Sequence, residues 1–137
     1  MSWDIFVQDI PPFARSVKEI PDDFDPKPIG KRSDLVARIR EVVPNADFSS
    51  PAWGSIEGPG YSIEVNMGDD EHVKSFAFHV RGGDQAPFVI SDVLEHLGLR
   101  AFDPASKSGI FGVDAEVTSG LHAWRTYRDQ VLGKPSA

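Results

Sequence analysis

The chain has 137 residues, 40% of them hydrophobic and 26% charged, a composition typical of a folded globular protein. Its formal charge of -7 disfavours nucleic acid and anionic membranes as partners, and the absence of cysteine excludes disulfides and Cys zinc sites. The start lacks the pattern of a secretory signal, and no window approaches the roughly 18 apolar residues of a membrane span. We therefore expect one cytoplasmic domain over residues 1–137.

A strand is predicted over residues 3–10, because apolar and polar side chains alternate there until Pro11 interrupts the pattern. Phe6 lies on the second face of this strand, which suggests that both faces are at least partly covered. Residues 11–30 contain five prolines and favour an irregular connection. Four spaced apolar side chains are expected to hold this connection on the core: Val17, Ile20, Phe24 and Ile29.

The next predicted element is a helix that Ser33 caps, Asp34 begins and Pro44 ends. Its apolar stripe recurs at helical spacing and comprises Leu35, Val36, Ile39, Val42 and Val43. Residues 45–60 are rich in turn-forming residues, and within them a short strand is predicted over 53–57.

The central element is an antiparallel hairpin predicted over residues 61–84. Two alternating segments are joined by an acidic turn at residues 68–71. The side chains expected on its core face are Tyr61, Ile63, Val65, Met67, Phe76, Phe78 and Val80. Together with the short strand before it, the hairpin makes a three-stranded meander.

Two further helices are predicted after the hairpin. Asp84 caps the first, over residues 85–97, and Gly98 ends it in the left-handed region. One or two short strands follow within residues 99–111, and Asp114 begins a last helix. The order of elements predicts an α+β two-layer sandwich, with a mainly antiparallel sheet and about three helices largely on one face.

The polar side of the hairpin is the candidate active site. Glu64 shares this side with His79 and Arg81, and reasonable strand registers bring Glu64 near His79. A carboxylate can orient a histidine for acid–base catalysis, and Arg81 would bind a substrate carboxylate or phosphate. The alternative is an ordinary solvated sheet face. The chain carries no Gly-x-Ser-x-Gly, Walker, Rossmann or His-Glu-x-x-His motif, which favours a binding protein over an enzyme.

The predicted last helix supplies a candidate interaction surface. Its members are of the residue types enriched in binding hot spots: Trp124, Arg125, Tyr127 and Arg128. The alternative is that Trp124 completes the core while the arginines stay in solvent.

Other ligand sites are poorly supported by the sequence. Asp92 and His96 have the spacing of a helical chelate, but two ligands do not make a metal site. The turn at residues 81–84 could present backbone N–H groups to an anion, yet the Asp84 carboxylate would itself satisfy the helix start. We predict no metal and no cofactor.

Three segments, MSWDI at residues 1–5, SIEVN at 62–66 and FAFHVRGGD at 76–84, resemble those of a group of small uncharacterised bacterial proteins. The resemblance implies source and size, and it brings no activity or site residues with it. Our prediction is a non-enzymatic module that binds another protein or itself, with an immunity-like role against a toxin as one form. The rival prediction is a small hydrolase or ligand-binding enzyme centred on the hairpin.

Overall fold

The fold is mixed α+β, as predicted, in the part of the chain that the computed structural model describes: residues 3–50, 52–82 and 85–112. The strands are β1 (Trp3–Gln8), β2 (Gly30–Lys31), β3 (Asp47–Ser50), β4 (Trp53–Gly58), β5 (Tyr61–Asn66), β6 (His72–Val73), β7 (Ser75–Gly82) and β8 (Arg100–Phe102). The helices are α1 (Arg32–Val42) and α2 (Ala86–Leu97), and a single 3₁₀ turn covers Val17–Glu19. Neither α1 nor α2 has the length and hydrophobicity needed to cross a lipid bilayer. The predicted last helix, beginning at Asp114, lies outside the described residues.

Six of the strands form one antiparallel sheet in the order β3-β4-β5-β7-β1-β8. The predicted three-stranded meander is present as β4, β5 and β7, and β1 extends it by pairing with β7. Strands β2 and β6 pair separately over two residues each. The sequence does not predict β3, because its four residues, Asp-Phe-Ser-Ser, contain a single apolar side chain.

Both helices cover one face of the sheet, and the core lies between them and the strands. The predicted core residues Ile63, Val65, Phe76, Phe78 and Val80 are each at most 3% exposed. They form one cluster with buried side chains from β1 and the two helices: Ile5, Val7, Leu35, Ile39, Val42, Ala86, Phe88, Val89, Ile90, Val93, Leu94 and Leu97. Burying an apolar side chain of this kind is worth about 1.5–3 kcal/mol, so this face is the main source of stability.

The connection between β5 and β7 differs from the tight acidic turn predicted at residues 68–71. It spans residues 67–74 and contains β6, whose pairing with β2 docks it against the start of α1. The Arg32 backbone N–H donates to the Glu71 carbonyl at 2.7 Å, and its guanidinium donates to the Gly68 carbonyl at 3.0 Å. Backbone polar groups that are buried between segments need hydrogen-bond partners. Here the connection at residues 67–74 and the start of α1 supply partners to each other.

The start of α1 shows a local sequence signal that a tertiary contact overrides. Helix α1 begins at Arg32, so Ser33 lies inside it and is not its cap. The Ser33 hydroxyl instead donates to the Glu71 carboxylate at 2.8 Å, and this bond holds the Glu71 pKa below its usual value. Helix α2 ends as predicted at Gly98, which has φ 68°. Its proposed cap, Asp84, lies outside the described residues.

The proline-rich connection after β1 is fastened at the β8 edge of the sheet. A second, smaller cluster forms there from Ile10, Ala14, Ile20, Phe102 and Ile110. The Arg100 guanidinium donates to the carbonyls of Pro11 and Ala14 and so holds the first part of the connection. Val17 was expected to anchor this segment through its side chain, but that residue is 45% exposed. Its backbone N–H makes the link, donating to the Ser108 carbonyl at 2.9 Å.

Candidate functional site

The face of the sheet opposite α1 and α2 carries the candidate site, and we call it the open face. It is built from alternate residues of the strands, because successive side chains of a strand point to opposite sides of the sheet. The pairing register aligns these residues in rows that run across the strands. Two neighbouring rows have contrasting chemistry.

The first of these, the aromatic row, crosses five strands and consists of Trp53, Asn66, Ala77, Phe6 and Phe102. Trp53 is 44% exposed and Phe6 is 40% exposed, whereas Phe102 packs against the second cluster. Ala77 is only 8% exposed, so the row is open at Trp53 and Phe6 and covered at Ala77 and at its β8 end. The small side chain of Ala77 lies between those of Asn66 and Phe6, and these three help to line a surface depression of about 260 Å³.

The second, the acidic row, also crosses five strands and consists of Asp47, Ser55, Glu64, His79 and Asp4. It holds three carboxylates and one imidazole. The hydroxyl and the backbone N–H of Ser49 both donate to Asp47, and these bonds hold the Asp47 pKa below its usual value. A row with three carboxylates thus runs beside a row with three aromatic rings.

His79 joins the two rows. Its Nδ1 lies 2.8 Å from Oδ1 of Asp4, the residue directly opposite on β1. Its ring also stacks with that of Trp53, with the centroids 6.0 Å apart and the planes inclined by 23°. Because Trp53 and His79 belong to strands on either side of β5, their rings meet across that strand. The side chains of His79 and Asp4 are 28% and 41% exposed, so a partner can reach both.

The structure places the predicted residue Glu64 directly opposite His79 in the register of β5 and β7. The imidazole nevertheless bonds Asp4 and not Glu64. Within the described part of the chain, the Glu64 carboxylate makes no hydrogen bond or ion pair. Arg81 is exposed in the next row along β7, opposite Ser62. The fold therefore brings Glu64 and His79 together and sets Arg81 one row away.

Sequence reasoning did not select Asp4, Trp53 or Phe6 as site residues. The alternation in β1 already assigns Asp4 and Phe6 to the face opposite Trp3, Ile5 and Val7, and that signal is usable. What the sequence lacks is the neighbour of β1, since the pairing that joins Asp4 to His79 spans 75 residues. Side-chain alternation gives the face of a residue, and strand order gives its neighbours.

The remaining predicted site residues do not add to the open face. Asp92 is 6% exposed in α2, whereas His96 points toward α1, where its Nε2 lies 3.6 Å from Oε1 of Glu41. Across residues 3–50, 52–82 and 85–112, no three His, Asp or Glu side chains are grouped so as to hold a metal ion. The predicted interaction surface lies outside the described residues: Trp124, Arg125, Tyr127 and Arg128.

Comparison with known proteins does not assign a function, so the proposal below is argued from the geometry of the open face. The chain matches no protein-family model, and the searches of curated proteins and of solved structures give no match. The resemblance to small bacterial proteins stays a prediction.

Proposed function

We propose that the chain is a non-enzymatic protein-binding module and that its open face is the docking surface. The observation that carries this proposal is the aromatic row, in which Trp53 and Phe6 remain 44% and 40% exposed. The solvent side of an antiparallel sheet is ordinarily polar, so two aligned exposed rings call for a partner. Trp is also among the residues that most often dominate the binding energy of protein interfaces.

The dimensions and charge of the open face support another protein as the occupant. Neighbouring strands lie about 4.8 Å apart, so a row across five strands is about 19 Å long. The carboxylates of the acidic row would orient a partner and select one with a basic surface. A second copy of the chain, which also carries a net charge of -7, is disfavoured by repulsion. Neutralisation of a basic toxin is one specific form of this function.

The test is capture of a partner from an extract of the source organism by the wild type, by Trp53→Ser and by Phe13→Ser. Phe13 is 62% exposed in the connection after β1, so its replacement removes an exposed ring that does not belong to a strand of the sheet. We expect one protein to bind the wild type and the Phe13 variant. Its dissociation constant should rise at least about tenfold for Trp53→Ser.

Two outcomes would contradict the proposal. One is equal binding of the captured protein to wild type and Trp53→Ser, and the other is capture of no protein at all. Circular dichroism and urea unfolding of each variant would exclude loss of fold as the cause of lost binding. A wild-type dimer that Trp53→Ser disrupts would instead assign the face to self-association.

The hydrogen bond between Asp4 and His79 favours a second candidate, a small hydrolase or ligand-binding enzyme. In it Asp4, and not Glu64, orients the imidazole, and His79 acts as general base. Hydrolysis of p-nitrophenyl acetate by wild type, His79→Ala and His72→Ala tests this, because His72 is an exposed histidine on β6. Activity above that of free imidazole and lost in His79→Ala alone would support the enzyme. Equal rates for all three proteins would count against it.

A further inference from the structure

We infer that the Trp53–His79 stack receives an arginine side chain of the partner, whose guanidinium the Glu64 carboxylate binds. The inference rests on the proposed docking function and deepens it by naming the recognised group. The site is assembled from three adjacent strands, with Trp53 on β4, Glu64 on β5 and His79 on β7.

The state of Glu64 is the reason to expect a cation. Its side chain is partly buried, and in the described part of the chain it has no hydrogen-bonding or ion-pair partner. A carboxylate in that position has lost part of its hydration and gained no compensating interaction. Asp4 and Asp47 stand in the same row and add negative potential. A positively charged group from a second protein supplies the interaction that the fold leaves out.

The stacked rings favour arginine over lysine. A guanidinium is planar, lies flat on an indole face and donates two parallel hydrogen bonds to one carboxylate. A lysine ammonium is a compact, strongly hydrated charge and matches neither geometry. Trp53 keeps 44% of its surface exposed although its ring also meets His79, so indole surface remains for a third planar group.

Arg81 lies on the same face but does not occupy the site. Arg81 is exposed in the next row, and it forms no ion pair with Glu64 among the described residues. It therefore adds positive charge near the site without filling it. Removing that charge should strengthen the binding of an incoming arginine, which gives a variant with an effect of opposite sign.

The experiment is an NMR titration of the full chain with two blocked peptides, acetyl-(Gly-Arg)3-amide and acetyl-(Gly-Lys)3-amide. The peptides carry equal charge and differ in the cation that they present. The readouts are the Trp53 indole N–H and the backbone N–H of Glu64. The chain has 3 tryptophans, and a Trp53→Phe variant assigns the indole signal.

We expect the arginine peptide to shift both signals and to bind more tightly than the lysine peptide. Glu64→Gln should weaken its binding about tenfold, the loss of a charge-assisted bidentate contact. Glu41→Gln is the matched control, because Glu41 is an exposed carboxylate on α1, which covers the opposite face of the sheet. It removes the same charge and should leave affinity within about twofold at physiological salt, where distant exposed charges are screened. Arg81→Ala should tighten binding.

Equal affinity for the two peptides would overturn the inference, as would equal weakening by Glu41→Gln and Glu64→Gln. Either result would reduce the effect to general attraction between a cation and an acidic chain. These outcomes leave the proposed function intact if the captured protein still requires Trp53. Conversely, specific arginine binding combined with failure to capture any protein would refute the proposed function and not the arginine site.

Discussion

The two faces of strand β7 differ in what they do, although their residues alternate along one segment. Phe76, Phe78 and Val80 face the helices and are at most 3% exposed, whereas His79 and Arg81 face outward with the acidic row and its neighbour. Burial of the apolar side stabilises the fold, whereas the open side carries polar side chains that can contact a partner and are packed less closely. Substitutions one residue apart should therefore affect different properties, either unfolding free energy or binding.

The largest expected effect is that of Phe78→Ala. Phe78 is fully buried, and its ring and that of Phe76 pack in a T-shaped arrangement with their centroids 5.4 Å apart. Loss of the ring leaves a cavity and should lower the free energy of unfolding by about 3–5 kcal/mol. Urea denaturation followed by circular dichroism measures it. The neighbouring variant His79→Ala should cost less than about 1 kcal/mol, because its pair with Asp4 and its stack with Trp53 are both partly exposed. Similar losses in both variants would remove the distinction between the faces.

An intermediate loss of stability is expected at the β8 edge of the open face, where a side chain holds the fold together and does not contribute to the proposed binding surface. Arg100 lies opposite Gln8 at the β8 edge, and its guanidinium holds the carbonyls of Pro11 and Ala14. Arg100→Gln should lower the free energy of unfolding by about 1–3 kcal/mol, because carbonyls that were paired lose a charged donor. Proteolytic cleavage within residues 11–20 should become faster, because this part of the connection is held less firmly.

Arg15→Gln is the control for that change, since Arg15 is an exposed arginine in the same connection. It removes the same charge without touching the two carbonyls and should be close to neutral. If Arg100→Gln were also neutral and left the proteolysis rate unchanged, the second cluster alone would be sufficient to hold the connection. Apolar packing, and not the Arg100 hydrogen bonds, would then be what covers the β8 end of the aromatic row.

Local patterns predicted the core face of the hairpin, because a period of two is visible in a few neighbouring residues. Phe76, Phe78 and Val80 needed no knowledge of the rest of the chain. The two-residue strands β2 and β6 carry no such pattern, so the connection between β5 and β7 was assigned as a turn. Ser33 has the side chain of a helix cap, but a tertiary bond to Glu71 uses its hydroxyl instead.

The candidate site was partly predictable for the same reason. Glu64 and His79 face the same way in any register shifted by two residues, so their shared side followed from alternation. Their partners did not, because Asp4 and Trp53 reach His79 only through the order in which β1 and β4 join the sheet. Contacts between strands distant in sequence have no counterpart in local periodicity.

The smallest expected effect concerns the segment that borders the open face near Ala77. The Ser33 hydroxyl bonds Glu71 and lowers its pKa, so the folded state binds the Glu71 proton less readily than the unfolded state does. This contribution to stability is present above the ordinary glutamate pKa, about 4.3, and is lost as pH falls through the lower folded value.

In Ser33→Ala the Glu71 pKa should rise toward its ordinary value, as an NMR titration of its side-chain carboxyl carbon would record. Ser75→Ala, at the start of β7 just after the same connection, should leave that pKa unchanged. An unchanged Glu71 pKa in Ser33→Ala would mean that the Ser33 backbone N–H and the charges of Arg32 and Lys31, and not the hydroxyl, favour the carboxylate. The connection that borders the depression would then be held to α1 by β2, β6 and Arg32 without help from the Ser33 hydroxyl.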